Sequence, residues 1–242
     1  MLLAVTLAGS GLMARAAEIA VISTVAHKDA YIEMMPAFER ASGHKVVTQW
    51  VPTVEVLRRI KAGEATDLVL MVASGIDELT KVGKIESGSG VPFVKSGIGI
   101  AVRAGAPRPD VSSADAFRRT LLAAKSVAYS TGPSGNYLAG LFERMGIAAE
   151  IKAKVRVTQG EPVGNFVARG EAEIGFQQIP EILPVKGIDY LGPLPPDIQY
   201  ITTFSAGIHA AAKQPEAARA LIKFLKAPEA AAFYKKHGLE PS

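Results

Sequence analysis

Residues 67–72 read DLVLMV. A run this apolar, one strand long and without polar alternation, is what a central parallel strand buried on both faces requires. The sequence around it keeps the same grammar. Residues 54–62 carry Val54, Leu57 and Ile60 at helical spacing, with Thr53 in position to cap the start and Gly63 to end the helix. Upstream, residues 45–50 (KVVTQW) and 18–23 (EIAVIS) read as strands. Between them, residues 29–42 place Ile32, Met35 and Phe38 on one helix face, stopped by Gly43. Downstream, Ser74 opens another helix. This β-α-β-α order predicts an α/β lobe built on a largely parallel sheet.

The second half repeats the pattern. Residues 126–129, 155–158 and 172–177 read as strands, and residues 135–145 and 163–169 as helices. Two extended runs, residues 91–102 (VPFVKSGIGIAV) and 198–208 (IQYITTFSAGI), are too apolar for ordinary loops and read as strands crossing between lobes. Pro215-Glu216 and Pro228-Glu229 each open a short C-terminal helix with an acid beside the proline. The expected architecture is α/β and two-lobed, each lobe a mixed sheet flanked by helices, joined by two crossover strands. Lobe 1 is expected over residues 17–96 and 205–242, and lobe 2 over residues 97–204. Facing lobes of this kind make a cleft at the carboxyl ends of their strands, and a two-strand hinge lets it close.

Composition narrows the chemistry. The 242 residues include no cysteine, which excludes disulfides, thiolate metal sites and cysteine nucleophiles. Four histidines (His27, His44, His209, His237) lack the i, i+4 spacing of a helical metal site, so no metal is expected. Net charge is +4 from 27 basic and 23 acidic residues, with no Lys/Arg run longer than two. That is a mixed surface, and nucleic acid is not an expected partner. Residues 2–13 form an apolar run before Ala14-Arg15-Ala16, the layout of a secretory signal peptide over residues 1–16, and so predict a periplasmic protein. No G-x-S-x-G motif, triad or paired-acid signature is present, and the chain is expected not to be an enzyme.

Several segments, taken in order, carry a resemblance. They are Asp29-Ala30, Phe38-Glu39, residues 42–46 (SGHKV), residues 57–63 (LRRIKAG) with Thr66-Asp67, residues 133–135 (PSG), residues 169–175 (RGEAEIG), and residues 228–231 (PEAA) with Phe233. The chain resembles the periplasmic solute-binding proteins of ABC importers, in particular the molybdate-binding branch, over nearly its whole length beyond residue 16. The resemblance implies the type II periplasmic-binding-protein fold. It implies capture of a small anion by a monomer without cofactor, and delivery to an inner-membrane ABC permease. In that family an oxyanion is held by serine hydroxyls, helix-start N–H groups and a tyrosine hydroxyl. Carried over residue by residue, the first serine falls at Ala26, with Ser23 and Thr24 close by. The second falls at Thr53. The helix-start pair falls at Ser134 and Gly135, the valine at Val163 and the tyrosine at Gln178.

Two of these positions depart from the family pattern. Ala26 lacks the hydroxyl, and Gln178 replaces a phenol with an amide that both donates and accepts. Such a pocket suits a ligand with donors of its own, such as a hydroxy- or protonated carboxylate. A small organic acid therefore stands beside a molybdate-type oxyanion as the expected ligand, and a periplasmic sensor stands beside a transport receptor. Thr53 and Ser134 serve equally as helix caps, and Gln177-Gln178 as a strand end in solvent. His27 reads as an exposed loop side chain and Trp50 as packing.

Overall fold

The computed structural model describes residues 16–242. Most of the predicted leader falls on residues 1–15 and so lies outside the described residues. The first half runs β1 (Glu18–Ser23), α1 (Lys28–Ser42), β2 (Lys45–Trp50), α2 (Thr53–Lys61), β3 (Leu68–Val72), α3 (Ala73–Lys81) and β4 (Val91–Ser96). The chain then crosses at Gly97 into β5 (Ile98–Arg103), α4 (Ala114–Ala123), β6 (Val127–Ser130), α5 (Pro133–Arg144) and α6 (Ala148–Ile151). β7 (Val155–Thr158), α7 (Val163–Arg169), β8 (Ile174–Gln178), α8 (Ile179–Ile182) and β9 (Ile188–Pro193) complete the second lobe. The chain returns as β10 (Thr202–Ile208), α9 (Pro215–Leu225), α10 (Ala230–Lys236) and β11 (Glu240–Pro241).

These strands form two mixed sheets. One has the order β11-β4-β10-β3-β1-β2, and the other β7-β6-β8-β5-β9. In the first, β1 is parallel to β2 and β3, and β10 inserts antiparallel between β3 and β4. In the second, β6 is parallel to β7 and β8, and β5 inserts antiparallel between β8 and β9. The two lobes thus share one plan, three parallel strands beside an antiparallel insertion, with helices on both faces of each sheet.

Burial explains the strand positions. β3 is the centre of its sheet, with Leu68, Val69, Leu70 and Met71 fully buried. β2 alternates exposed and half-buried residues, as an edge strand does. One core packs α1, α9 and α10 against the first sheet through Met34, Phe38, Leu221 and Tyr234. Its other face carries α2 and α3 through Val56, Ile60, Ile76 and Leu79. In the second lobe, Phe117, Leu138 and Phe176 centre a separate core. Buried Asp67 ties the first lobe together. One carboxylate oxygen accepts from Ala20 N (2.8 Å), and the other from Lys213 N and Gln214 N (2.7 and 2.8 Å) just ahead of α9.

Some expectations shift in detail. Ile32 is 51% exposed, and the buried stripe of α1 is Ala30, Tyr31, Met34, Met35 and Phe38. Thr53 and Ser134 do not cap. Each lies inside the first turn of its helix, behind Pro52 and Pro133, and neither helix has a side-chain cap. Pro133 supplies the fixed φ of the first position of α5, and Pro52 is the extended residue immediately ahead of α2. The run 91–102 is two strands in different sheets, broken at Gly97. α4, α6, α8, β9 and β11 are not among the elements predicted from the sequence. β9 is half-buried on both faces, so it lacks the alternation that marks an edge strand in sequence.

Candidate functional site

The carboxyl ends of β1, β2, β6, β7 and β8 converge on a cavity of about 350 Å³ between the two sheets. Thr24, Ala26, Lys28, Trp50, Thr53 and Phe204 line it from the first lobe. The loop from Ser130 to Ser134, with Thr158, Glu161, Gln177, Gln178 and Glu181, lines it from the second. α1, α2 and α5 all begin at this cavity, and none has a side-chain cap. Their first-turn N–H groups and the positive ends of their dipoles favour an anion there.

Of the residues expected from the resemblance, Thr24, Ala26, Thr53, Ser134 and Gln178 line this one cavity. Ser23, Gly135 and Val163 are not on its wall. Ser23 turns inward, where its Oγ donates to Thr24 O (3.0 Å) and lies 2.9 Å from His27 Nε2. Gly135 is there for packing. A Cβ at this position would lie 1.6 Å from Ser130 O, so only glycine lets α5 start so close to the end of β6. Val163 is buried, and its N–H donates to Gln177 Oε1 (2.8 Å).

Two side chains read as exposed are buried. His27 is 1% exposed, with its ring edge-on to Tyr31, Trp50, Phe93 and Phe204. Burial pushes its pKa down to about 3, so the ring is neutral near pH 7. Because Ser23 Oγ–H is given to Thr24 O, His27 Nε2–H donates to Ser23 and leaves Nδ1 as an acceptor without a partner. Gln177 and Gln178, read as a strand end in solvent, are both buried.

Three buried polar atoms of cavity-lining residues lack partners among the described residues: Thr24 Oγ1, Thr158 Oγ1 and Gln178 Oε1. All three residues are almost fully buried. Gln178 is held by its other end, where Nε2 donates to Thr202 Oγ1 (2.7 Å). An unpaired buried polar atom costs about 1–3 kcal/mol. Three such atoms, drawn from both lobes, belong to residues around this one cavity.

The charged groups of the cavity are Lys28, Asp29, Glu161 and Glu181. Lys28 is the first residue of α1, with its Nζ 6.0 Å from the Trp50 ring centroid. No acidic partner lies within ion-pair distance of it among the described residues. Glu161 is neutralised by Arg169 (2.6 Å). Glu181 is half-buried, and its Oε1 accepts from Gln177 Nε2 (2.7 Å). Burial pushes its pKa up to about 7, partly offset by the hydrogen bond from Gln177. No group of three His, Asp or Glu side chains among the described residues is arranged to hold a metal ion, and none of their helices is long and apolar enough to cross a membrane.

The reading from resemblance missed Lys28, Thr158 and Glu181. All three lie at or within three residues of the carboxyl end of a strand, or at the helix start that follows one. The rule for ligand sites in open α/β sheets reaches such positions.

The model of the bacterial extracellular solute-binding proteins matches residues 19–240. Aconitate isomerase from a Pseudomonas species is 42% identical over 215 residues, covering 86% of this chain and 82% of that protein. Among solved structures, the periplasmic molybdate-binding protein of Azotobacter vinelandii superposes with a TM-score of 0.74 at 18% identity, covering 90% of this chain and 97% of that one. The sulfate-binding protein SubI of Mycobacterium tuberculosis H37Rv superposes at 0.75 and 19%, covering 93% and 87%. The isomerase overturns the expectation that the chain is not an enzyme. That expectation rested on missing hydrolytic motifs. An isomerisation needs neither triad nor metal, only a proton carrier beside an acidic C–H bond, and no sequence spacing marks that arrangement.

Proposed function

The chain belongs to the bacterial extracellular solute-binding protein family, and from that premise we propose that its cavity binds aconitate and interconverts the cis and trans isomers. The observation that carries this reading is the 42% identity to an aconitate isomerase over more than four fifths of both chains. The cavity's chemistry supports it. Aconitate is a small tricarboxylate, and a site of about 350 Å³ is at the small end of ligand pockets. Lys28 offers an unshared cation to one carboxylate, and the starts of α1, α2 and α5 offer N–H groups to the others. Thr24, Thr158 and Gln178 add neutral contacts, and Ala26 leaves room where the family's serine would stand.

In this account the two lobes, one built on the sheet of β1–β4, β10 and β11 and the other on the sheet of β5–β9, close over the ligand by bending at Gly97 and at residues 199–201. The protein works in the periplasm as a monomer.

The two-lobed family architecture favours one second reading, in which the cleft captures the same carboxylate and hands it to an ABC permease without turnover. Titration calorimetry with both aconitates, citrate, molybdate and sulfate tests the shared part. Aconitate is expected to bind and, at 100 times its dissociation constant, to stabilise the protein by about 2.7 kcal/mol. Sub-micromolar molybdate with no aconitate binding overturns both readings. Aconitate binding without conversion leaves the receptor reading standing.

A further inference from the structure

Resting on the isomerase reading, we propose that Glu181 is the proton carrier of the reaction and that Gln177 positions it. The geometry is built for that task. Gln177 ends β8, and its amide is fixed at both ends. Oε1 accepts from the Val163 N–H (2.8 Å), so the NH2 group must face Glu181, where it donates to Oε1 (2.7 Å). One carboxyl oxygen is thereby anchored to the second sheet. Among the described residues no other group hydrogen-bonds Glu181 and no cation pairs with it. Glu181 lines the cavity, and its second oxygen has no hydrogen-bond partner among the described residues, which leaves it available to a guest. The other carboxylate on the second-lobe wall, Glu161, is partly exposed and occupied by Arg169.

The step balances without any co-reactant. The Glu181 carboxylate takes a proton from the methylene carbon of aconitate. The C–H electron pair spreads through the adjacent C=C bond and the carboxylates as an allylic carbanion. The double bond then re-forms at the former methylene carbon, as Glu181 returns the proton to the carbon at the other end of the allylic system. The conformation of the carbanion decides whether the new double bond is cis or trans. A base that later acts as acid works best with a pKa near the ambient pH, and burial brings Glu181 there. The charged groups sharing its cavity are Lys28, Asp29 and Glu161. Lys28 stands on the opposite wall and is suited to hold the carboxylate onto which negative charge moves.

The test is isomerisation of trans-aconitate in D2O, followed by proton NMR, with wild type, E181Q and Q177L. Wild type is expected to convert the isomers, with deuterium entering the newly protonated terminal carbon only as far as the proton on Glu181 exchanges with solvent before its return. E181Q is expected to lose turnover 10²- to 10⁴-fold while binding trans-aconitate within a few-fold of wild type by calorimetry, which also shows that it is folded. Q177L removes the hydrogen bond that lowers the Glu181 pKa, so the inflection of its pH–kcat profile should move upward from near 7. A merely structural defect would not shift the inflection. Wild-type turnover retained by E181Q overturns the role of Glu181. If the wild type converts no aconitate, the isomerase reading itself fails and this role falls with it.

Discussion

The two walls of the cavity come from lobes of the same sheet plan, yet they carry different chemistry. The first-lobe wall carries aromatic rings and a cation: Trp50 and Phe204, the neutral buried His27 beneath them, and at the head of α1 Lys28, without an ion-pair partner among the described residues, next to Asp29. The second-lobe wall is amide- and carboxyl-lined: Gln177, Gln178 and Glu181 at the end of β8, beside the glycine-dependent start of α5. On the proposed reading, the same topology presents a wall suited to holding an anion opposite a wall suited to moving a proton. The difference lies in a handful of residues after the strand ends, not in the scaffold.

That contrast can be broken most severely at Gly135. Gly135→Ala forces a Cβ against the Ser130 carbonyl, with no flexible side chain able to yield. The expected cost is about 3 kcal/mol of folding stability, read by urea unfolding. It should fall on the second lobe, leaving the hydrogen-exchange protection of β3 intact.

Breaking the first wall instead should spare folding. Lys28→Met keeps the stem over Trp50 and removes the charge. Aconitate affinity should fall roughly 30-fold, about 2 kcal/mol, as for a lost charged hydrogen bond. The melting temperature of the unliganded protein should stay within about a degree.

The walls should also oppose each other in pH. The folded-state pKa of His27 is depressed from the ordinary 6.5 to about 3, so the unfolded chain binds more protons between those values. Stability is lost as pH falls below about 6.5. The pKa of Glu181 is raised from the ordinary 4.5 to about 7, so the folded chain binds more protons in that window. Stability therefore rises as pH falls from about 7 to 4.5. Glu181→Gln should be more stable than wild type at pH 8 by about 2 kcal/mol, allowing for partial exposure of the residue, with the gap closing by pH 4.5.

The smallest effect sharpens the picture of the shared polar ring. Thr24→Val and Thr158→Val each remove an unpaired buried hydroxyl. Each should raise the stability of the unliganded protein by about 1 kcal/mol and weaken aconitate binding several-fold. A loss of stability instead would mean that the hydroxyls are satisfied within the protein.

These predictions rest on residues that differ in how far the sequence reveals them. The buried run of β3 and the glycine stop of α1 are legible because burial and chain reversal impose local patterns on residue type. Thr53 and Ser134 are legible as helix-start residues, although neither hydroxyl caps its helix. Ser23 and Thr24 are adjacent hydroxyls in sequence. Only the structure reveals that one turns inward to His27 and the other to the cavity. The chemistry of Glu181 is the least legible. A lone acid in a four-residue helix carries no motif, and its protonation is set by burial and by Gln177 acting across the lobe.

The central claim is that this cavity interconverts the isomers of aconitate. It is tested most directly by incubating the protein separately with pure cis- and pure trans-aconitate and following both by proton NMR. The account predicts that both reactions reach one common isomer ratio, at rates proportional to protein concentration. Two starting materials that stay unchanged beside protein saturated with either isomer would contradict it.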